Sequence, residues 1–361
     1  MTSMMCSAPT LLNGLDEFIN SKKLEVLQIY NSNNFYRLKE NRIVVFCYIG
    51  EYLRWMEIDN LLCTEKFYYD QNNKLKNYYI LLTPHKHPEK LKNDYSDVCT
   101  IIECPLLYSY YANCIEKLQP SFSTNKKSHF LSLNNRATTR RQMLYYFFDK
   151  FSLRSKSYFS YIGEIKRTKF KSHDDISNIC TENGDPWFLT KSKLKELNER
   201  IPITIDGDTF FKNDWGYGQS CYYDDAFCSI VMETYTAEQY PFFTEKTFKP
   251  IAFFHPFILD CNPGGLALLR EMGFKTFDDF WDEDYDNLKD NPRLEAIFHL
   301  ILEISNWSQE KINAVYSKMM PILEHNHNHF YNVLPKMFED KKYELFSKIK
   351  NIVKSKEELL V

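Results

Sequence analysis

A chain of 361 residues is long enough to bury two hydrophobic cores of ordinary size, so we expect two domains. Its composition, with 44% hydrophobic residues, 26% charged residues and ten glycines, is typical of a globular protein and excludes a collagen-like or disordered chain. The formal net charge of −3 conceals an uneven distribution of charge along the sequence.

The sequence predicts neither a membrane-spanning helix nor a secretory leader. No run of 18 apolar residues occurs, and residues 1–12 lack the basic start and apolar centre of a signal peptide. The ten cysteines form no Cys-x-x-Cys pair, and Cys47, Cys99, Cys228 and Cys261 lie in or beside apolar strands, where a thiol behaves as a small hydrophobic group. We therefore expect reduced cysteines and a cytoplasmic protein.

The first domain is predicted over residues 1–125, where short apolar runs alternate with helix-like segments. This alternation is typical of a parallel α/β sheet. No glycine-rich phosphate-binding loop follows any of the strands, so a nucleotide site is not expected here. The predicted strands are Leu24–Tyr30, Ile43–Gly50, Tyr78–Thr83 and Asp97–Cys104, and the predicted helices are Glu51–Leu62 and Leu106–Leu118.

A second α/β domain is predicted over residues 126–320, after a polar boundary segment at Lys117–Ser128. It opens with a β-α-β unit, and a long polar segment then separates this unit from a second strand-helix-strand pattern. Beyond Arg293 the pattern is helical, and residues 321–361 are predicted to form a helical tail. The predicted strands are His129–Leu133, Ser157–Ile162, Ala226–Thr234 and Pro256–Asp260, and the predicted helices are Thr138–Phe151, Lys191–Arg200, Thr244–Phe254, Leu266–Met272, Leu294–Ile304, Ser308–Glu324 and Asn332–Val353.

Charge is concentrated in two segments of the chain. The segment from Lys117 to Lys171 contains thirteen Lys and Arg residues and two acidic residues, a net charge of +11. The segment from Asp278 to Asp290 contains seven acidic residues and one lysine. Both segments are typical of solvated faces. Alternatively, the basic segment faces a polyanion, either a donor diphosphate or a nucleic acid.

Charged residues cluster where the strand Ala226–Thr234 ends and the next helix begins. Glu233 ends the strand, Thr244 is placed to cap the helix, and Glu245 and Lys246 lie in its first turn. Open α/β sheets bind ligands outside the carboxyl ends of their strands, where helix N-termini attract phosphates. A carboxylate suits a ribose hydroxyl and a lysine suits a diphosphate, which together indicate a nucleotide-sugar site. The alternatives are a structural salt bridge and an ordinary helix start.

The pattern also resembles a known family. Glu233, the run Phe243-Thr244-Glu245-Lys246 and the strand Pro256–Leu259 are similar to the donor-binding motif of α1,3-fucosyltransferase-like enzymes, and more broadly to GT-B glycosyltransferases encoded by phages and bacteria. Asn262–Gly265, Leu269–Phe277 and Asp282–Asp286 continue the resemblance, which covers roughly residues 130–293, under half of the chain. It implies an α/β protein of GT-B type, with two Rossmann-like domains and a bacterial or virus-infected host cell as its location.

The resemblance also implies roles for individual residues. Glu245 would hold the donor ribose, Lys246 the diphosphate, and Glu233 would lie beside the donor sugar or ribose. It favours Arg140 as a further phosphate ligand, because the family has an arginine six residues after the Ser-Asn that ends the preceding strand. Arg136 in the turn after the strand is equally well placed, since an arginine fork binds phosphate at two points.

The same segment departs from the family pattern in one respect. This chain has Leu133-Asn134 where the family has Ser-Asn, so Arg136 and Arg140 stay as alternatives. For Arg141, in the first turn of the helix, we expect a solvated basic face.

A catalytic base is harder to predict. An inverting transfer needs a carboxylate or histidine that takes the proton of the acceptor hydroxyl. In GT-B enzymes this residue usually comes from the N-terminal domain, near the end of a strand. Glu51 is the first candidate, followed by Glu103 and His85, and a structural role is the alternative for each.

Metal binding is not expected. The pairs Asp284-x-Asp286 and Asp206-x-Asp208 superficially match the metal-binding motif of GT-A glycosyltransferases, but neither clearly follows a nucleotide-binding strand. His85 and His87 also lack an evident third ligand.

The functional hypothesis is a metal-independent glycosyltransferase without a cofactor. It would move a sugar from a nucleotide-diphosphate sugar to a hydroxyl of a glycan, a lipopolysaccharide or a hydroxymethylated DNA base. The alternatives are a non-catalytic nucleotide-sugar or glycan binding protein of the same fold, and a metal-dependent GT-A glycosyltransferase.

Overall fold

The structure is a computed structural model that describes most of the chain beyond residue 54. The described residues are 25–28, 42–47, 55–84, 86–87, 89–115, 117, 123–134, 138–162, 195–196, 199–205, 220–233 and 240–356.

The first sheet contains four described strands, all parallel, in the order β1-β2-β3-β4. Their order in space is therefore their order along the chain, and each predicted strand of the first domain is confirmed. The strands are β1 (Glu25–Gln28), β2 (Arg42–Cys47), β3 (Asn77–Thr83) and β4 (Cys99–Glu103), and the helices are α1 (Trp55–Asn72), α2 (Glu89–Asp94) and α3 (Tyr110–Cys114).

Strand β3 is one of the two inner strands of this sheet, and all seven of its residues are buried. A strand covered on both faces needs a continuous apolar run, which the central Tyr78–Leu82 supplies. The strand begins next to Glu65 of α1, whose carboxylate accepts the amides of Lys76 and Asn77 at 2.7 and 2.9 Å. The predicted helix Leu106–Leu118 is in part wrong, because a 3-10 helix (Pro105–Ser109) precedes a short α3.

The second sheet also contains four described parallel strands, in the order β6-β5-β7-β8. Three helices accompany the strands, and the predicted strand-helix-strand patterns on both sides of the long polar segment are confirmed. The strands are β5 (Ser128–Asn134), β6 (Ser157–Tyr161), β7 (Ala226–Met232) and β8 (Phe257–Asp260), and the helices are α4 (Thr139–Lys150), α5 (Ser220–Asp225) and α6 (Glu245–Ala252).

The order of these strands creates a point where the chain connections diverge. From β5 the chain leaves through α4 to β6 on one side, and it later returns to β7 on the other side of β5 before continuing through α6 to β8. In open α/β sheets such a reversal opens a crevice at the carboxyl ends of the two strands, where ligands bind. The described strands of the first sheet show no reversal.

After β8 the described chain contains four further helices, and the helical pattern predicted beyond Arg293 is confirmed. A 3-10 helix (Asp284–Asn287) follows α7, and a π-helical segment (His329–Val333) joins the last two helices. No helix in the described ranges combines the length and the apolar character that a bilayer-spanning segment needs. The helices are α7 (Gly265–Glu271), α8 (Asp290–Ser305), α9 (Gln309–Asn328) and α10 (Leu334–Lys356).

The chain divides into two compact units. The first takes residues 1–114, 234–244 and 328–361, and the second takes 115–233 and 245–327. In the first unit, α10 contacts the 3-10 helix Pro105–Ser109. In the second, Phe147 of α4 stacks on Phe298 of α8, with ring centroids 4.2 Å apart.

Thiols in the described residues are free, as expected for a reduced protein. Cys99, Cys228 and Cys261 are buried, and burial raises the pKa of the Cys99 thiol to about 12. A thiol of this kind stays protonated and packs as an apolar group. The structure does not describe the side chain of Cys47.

Candidate functional site

The charged residues of the sequence motif lie at the carboxyl edge of the second sheet, around the reversal between β5 and β7. Glu233 directly follows β7, and Glu245 and Lys246 open α6. Arg140 and Arg141 lie in the first turn of α4, which follows β5. All five belong to the second unit. Parallel strands end at the same edge of a sheet, so residues about one hundred positions apart in sequence converge here.

Glu233 joins the end of β7 to the first turn of α6. The residue is 4% exposed, and its Oε1 accepts hydrogen bonds from Thr247 Oγ1 at 2.8 Å and from the Thr247 amide at 3.2 Å. Its own amide donates to the Asp260 carbonyl at 2.8 Å. A carboxylate that accepts an amide in the first turn of a helix acts as a cap and complements the helix dipole. Glu233 therefore fixes how α6 begins.

Glu245 and Lys246 form an ion pair at the helix start. Lys246 Nζ donates to Glu245 Oε1 at 2.9 Å, and the two side chains remain 27% and 22% exposed respectively. Although burial alone would raise the pKa of the Glu245 carboxyl, the charges of Lys246 and Lys249 hold it below its ordinary value. Both side chains are thus charged and partly open to solvent, as a ligand-binding pair requires.

Charges from neighbouring elements also shift the pKa of Lys246. Burial alone would lower the pKa of its ammonium, but Glu245 and Glu233 together raise it above the ordinary value, while Arg141 opposes them. Lys246 is therefore a fixed cation at neutral pH. A diphosphate needs such a cation when no metal neutralises it.

Arg141 is a site residue that sequence reasoning placed wrongly. We expected a solvated side chain, yet it is 3% exposed and Nη2 donates to the Met232 carbonyl at 2.6 Å. The signal was present in the spacing, because Leu144, Tyr145 and Phe148 lie three, four and seven positions further along the helix and are all buried. Arg141 thus lies on the core face of α4, next to the end of β7.

Arg140 faces β8. Its Nε and Nη2 donate to the two carboxylate oxygens of Asp260 at 2.8 and 2.5 Å, and Nη1 donates to the Asp290 carbonyl at 3.2 Å. Asp260 is fully buried, and Arg293 Nε lies 3.7 Å from the same carboxylate. The alternative residue, Arg136, lies outside the described residues.

Part of the acidic segment from Asp278 to Asp290, whose composition is typical of a solvated face, is internal. Asp286 is 4% exposed, its Oδ1 accepts a hydrogen bond from the fully buried Arg293 at 3.3 Å, and its Oδ2 accepts the Ala267 amide at 3.1 Å. Within the described residues, no group of three or more His, Cys, Asp or Glu side chains is placed to hold a metal ion. Asp206 and Asp208 lie outside those residues.

The turn between β8 and α7 requires a glycine at position 264. Gly264 has φ 83°, a left-handed conformation that disfavours residues with a Cβ, and its amide donates to the Asp286 carbonyl at 2.9 Å. Asn262 in the same turn is 1% exposed. The Asn262–Gly265 segment is therefore a tight turn that starts α7.

Among the candidates for a catalytic base, Glu103 is the one that the structure describes. Its carboxylate accepts the His87 amide at 2.6 Å and lies 2.8 Å from Lys92 Nζ, whose pKa it raises. Burial lowers the pKa of His87 itself to about 4. Glu51 and His85 fall outside the described ranges.

Thr244, the expected helix cap, immediately precedes α6 and is 2% exposed.

The basic segment of the sequence is less basic at the surface than its composition predicts. Lys126 is 2% exposed, donates to the Asp224 carbonyl at 2.8 Å and lies 3.9 Å from the centroid of the Tyr316 ring. Burial lowers its pKa to about 8. With Arg140 and Arg141 also directed to protein partners, the +11 of the sequence overstates the positive charge that this segment presents to solvent.

No protein-family model matches the chain, and no curated protein sequence matches it either.

Proposed function

We propose that this chain is a glycosyltransferase of GT-B type, which moves a sugar from a nucleotide-diphosphate sugar to an acceptor hydroxyl. One observation carries the proposal. The charged residues of the sequence motif, with Arg141 added, converge at the carboxyl ends of β5 and β7, where the connections of the second sheet diverge. Reversals of this kind are the usual ligand sites of open α/β sheets.

The charges of the site suit a departing diphosphate. During transfer the bond between the anomeric carbon and the diphosphate oxygen breaks, and negative charge develops on the leaving group. Lys246, held in its charged form by Glu245 and Glu233, would stabilise that charge without a metal. The acceptor oxygen forms the new bond to the anomeric carbon, and its proton passes to a base or to solvent.

The Glu245–Lys246 pair suits the rest of the nucleotide. A carboxylate with one oxygen on Lys246 retains lone pairs for ribose hydroxyl donors, and 22% of its side chain is exposed. Ribose and diphosphate would then bind to adjacent residues of one rigid helix turn. Rigid helix starts hold binding groups more accurately than loops do.

The acceptor hydroxyl belongs to a glycan, a lipopolysaccharide or a hydroxymethylated DNA base. These classes separate by salt dependence, because affinity for DNA falls steeply as ionic strength rises, whereas affinity for a neutral glycan does not. The burial of Lys126 and Arg141 removes part of the charge on which a DNA acceptor would depend.

A panel of nucleotide sugars tests the proposal. We expect one nucleotide sugar, at about 100 times its dissociation constant, to raise the melting temperature by about 5–10 °C, with or without a chelator. Mass spectrometry of the same mixtures then detects transfer to an acceptor or slow release of the sugar to water. Stabilisation without any transfer or hydrolysis would indicate the non-catalytic binding protein. Activity that a chelator abolishes would indicate the metal-dependent alternative, and no stabilisation by any donor would refute the proposal.

A further inference from the structure

Glu233 differs from the other charged residues of the site in how little of it reaches solvent. It is 4% exposed, whereas the side chains of Glu245 and Lys246 are 22% and 27% exposed. Its two bonds to Thr247 use the same oxygen, Oε1, and both point into the helix. Oε1 of this buried carboxylate is therefore engaged by protein groups.

One partner of Glu233 is the residue that follows Lys246. Thr247 is fully buried, and both its amide and its hydroxyl donate to the carboxylate. Because the side chain of Lys246 leaves the backbone one position earlier, the orientation of Lys246 depends on how Thr247 is held. The backbone amide of Glu233 in turn donates a hydrogen bond to the Asp260 carbonyl at the end of β8.

Glu233 also acts electrostatically on the ammonium of Lys246. Glu245 contacts the ammonium directly, Glu233 acts on it from the end of β7, and Arg141 acts against both from α4. Lys249, one turn along α6, acts on Glu245. Glu233 thus adds a buried carboxylate to the charges that act on Lys246.

We propose that Glu233 is a positioning residue, which fixes the first turn of α6 through Thr247 and supplies the buried negative charge opposite Lys246, without touching the donor. This inference rests on the proposed function and refines it, since the resemblance to the fucosyltransferase-like motif implies that Glu233 lies beside the donor sugar or ribose. Under the new assignment Glu245 alone serves the ribose, and Glu233 acts on the diphosphate through Lys246.

The decisive variant is Glu233→Gln, which keeps an oxygen that accepts from Thr247 but removes the charge. We expect the pKa of the Lys246 ammonium, followed by NMR of labelled lysine side chains in the ligand-free protein, to fall relative to the wild type. Affinity for inorganic pyrophosphate should fall about tenfold, or about 1.4 kcal/mol. Affinities for guanosine and uridine, which carry a ribose but no phosphate, should stay unchanged.

Two further variants serve as controls. Thr247→Val removes one of the two bonds and leaves the charge, so it should weaken pyrophosphate binding less than Glu233→Gln and leave the Lys246 titration unchanged. Glu65→Gln alters a carboxylate of the first unit that is 5% exposed and also accepts two backbone amides. It should change neither measurement.

Different results contradict different statements. A Lys246 titration that is the same in Glu233→Gln and in the wild type would overturn the inference, as would an equal loss of affinity for nucleoside and pyrophosphate. If no nucleoside diphosphate of a panel and no pyrophosphate binds to the wild type, the proposed function fails. The Lys246 titration in the ligand-free protein still decides the role of Glu233 in that case.

Discussion

Lys246 combines a fixed positive charge with access to solvent, and the other charged residues of the site act on it or beside it. Its ammonium contacts Glu245 at 2.9 Å, and 27% of its side chain is exposed. A bound diphosphate would gain a charge-assisted hydrogen bond from this group, which contributes about 1.5–3 kcal/mol in proteins.

The first prediction concerns the loss of this charge. Lys246→Ala should weaken binding of nucleoside diphosphates about 10- to 100-fold, because one charge-assisted contact is lost. Isothermal titration calorimetry measures the change, and circular dichroism checks the fold. The control is Lys249→Ala on the same helix, for which we expect a loss below about fivefold. Equal losses in the two variants would show that the helix responds only to overall charge.

A second prediction concerns a buried histidine between α6 and β8. His255 is fully buried, its Nε2 donates to the Ala226 carbonyl at 2.8 Å, and its Nδ1 accepts from the Ser229 hydroxyl at 2.7 Å. Burial, together with the charge of Lys126, lowers its pKa to about 3. At a pH between the ordinary pKa of histidine and this lowered value, His255 is protonated in the unfolded chain but not in the folded protein.

Folding stability should therefore fall as the pH drops below 6.5. This histidine alone should lower the free energy of unfolding by about 2 kcal/mol between pH 7 and pH 5. His255→Gln cannot titrate, so its stability should depend less on pH over the same range, as urea denaturation at several pH values would show. Parallel curves for the variant and the wild type would contradict the prediction, and so would an NMR titration of His255 near pH 6.

At the scale of elements, two helices of the second unit begin in the same way. In each helix the amide of the third residue donates a hydrogen bond to a buried carboxylate from elsewhere in the unit. In α6 the Thr247 amide donates to Glu233, and in α7 the Ala267 amide donates to Asp286. Such carboxylates satisfy amides that have no partner within the helix and complement the helix dipole. The helices before and after β8 thus both begin at a buried carboxylate.

A third prediction tests the start of α7. Gly264→Ala forces a Cβ into a left-handed conformation, so it should lower the free energy of unfolding by about 1 kcal/mol or more. Gly264→Asn should cost less, because asparagine adopts this conformation more readily. Thermal and chemical denaturation give both values. A greater loss for Gly264→Asn would mean that side-chain size, and not backbone conformation, limits this position.

Element positions were largely predictable from the sequence, whereas contacts between elements were not. Apolar runs and their spacing located the described strands to within a few residues, since burial on both faces of a parallel sheet imposes a continuous apolar run. Arg141 was placed wrongly on a solvated basic face, because its charge was weighed above its spacing from the buried Leu144 and Phe148. The bond between Arg140 and Asp260 joins residues 120 positions apart, and no local pattern records such a pair.

At the scale of the whole molecule, the chain passes between its two units more than once. Residues 234–244 belong to the first unit, although Glu233 and Glu245 on either side belong to the second. Within the first unit, the Phe243 amide donates to Tyr108 Oη at 3.1 Å, and the two rings are 5.3 Å apart. A unit assembled from separated segments depends on long-range contacts, so reading the sequence for linkers did not reveal this arrangement.

The fourth prediction concerns the last helix. Several apolar residues of α10 are buried, among them Leu334, Phe338, Phe346 and Ile349, and each contributes about 1.5–3 kcal/mol through burial. A chain that ends at residue 327 should therefore lose hydrogen-exchange protection in β3 of the first unit and retain it in β7 of the second. Earlier or equal loss of protection in β7 would contradict the division into two units.

The most direct test of the central claim is a crystal structure of the protein with a bound nucleoside diphosphate. We expect the diphosphate outside the carboxyl ends of β5 and β7, with an oxygen within hydrogen-bond distance of Lys246 Nζ and the ribose next to Glu245. Glu233 should keep its bonds to Thr247. A diphosphate bound at the first sheet, or one that leaves Lys246 and the arginines of α4 without a contact, would contradict the assignment of this edge as the donor site.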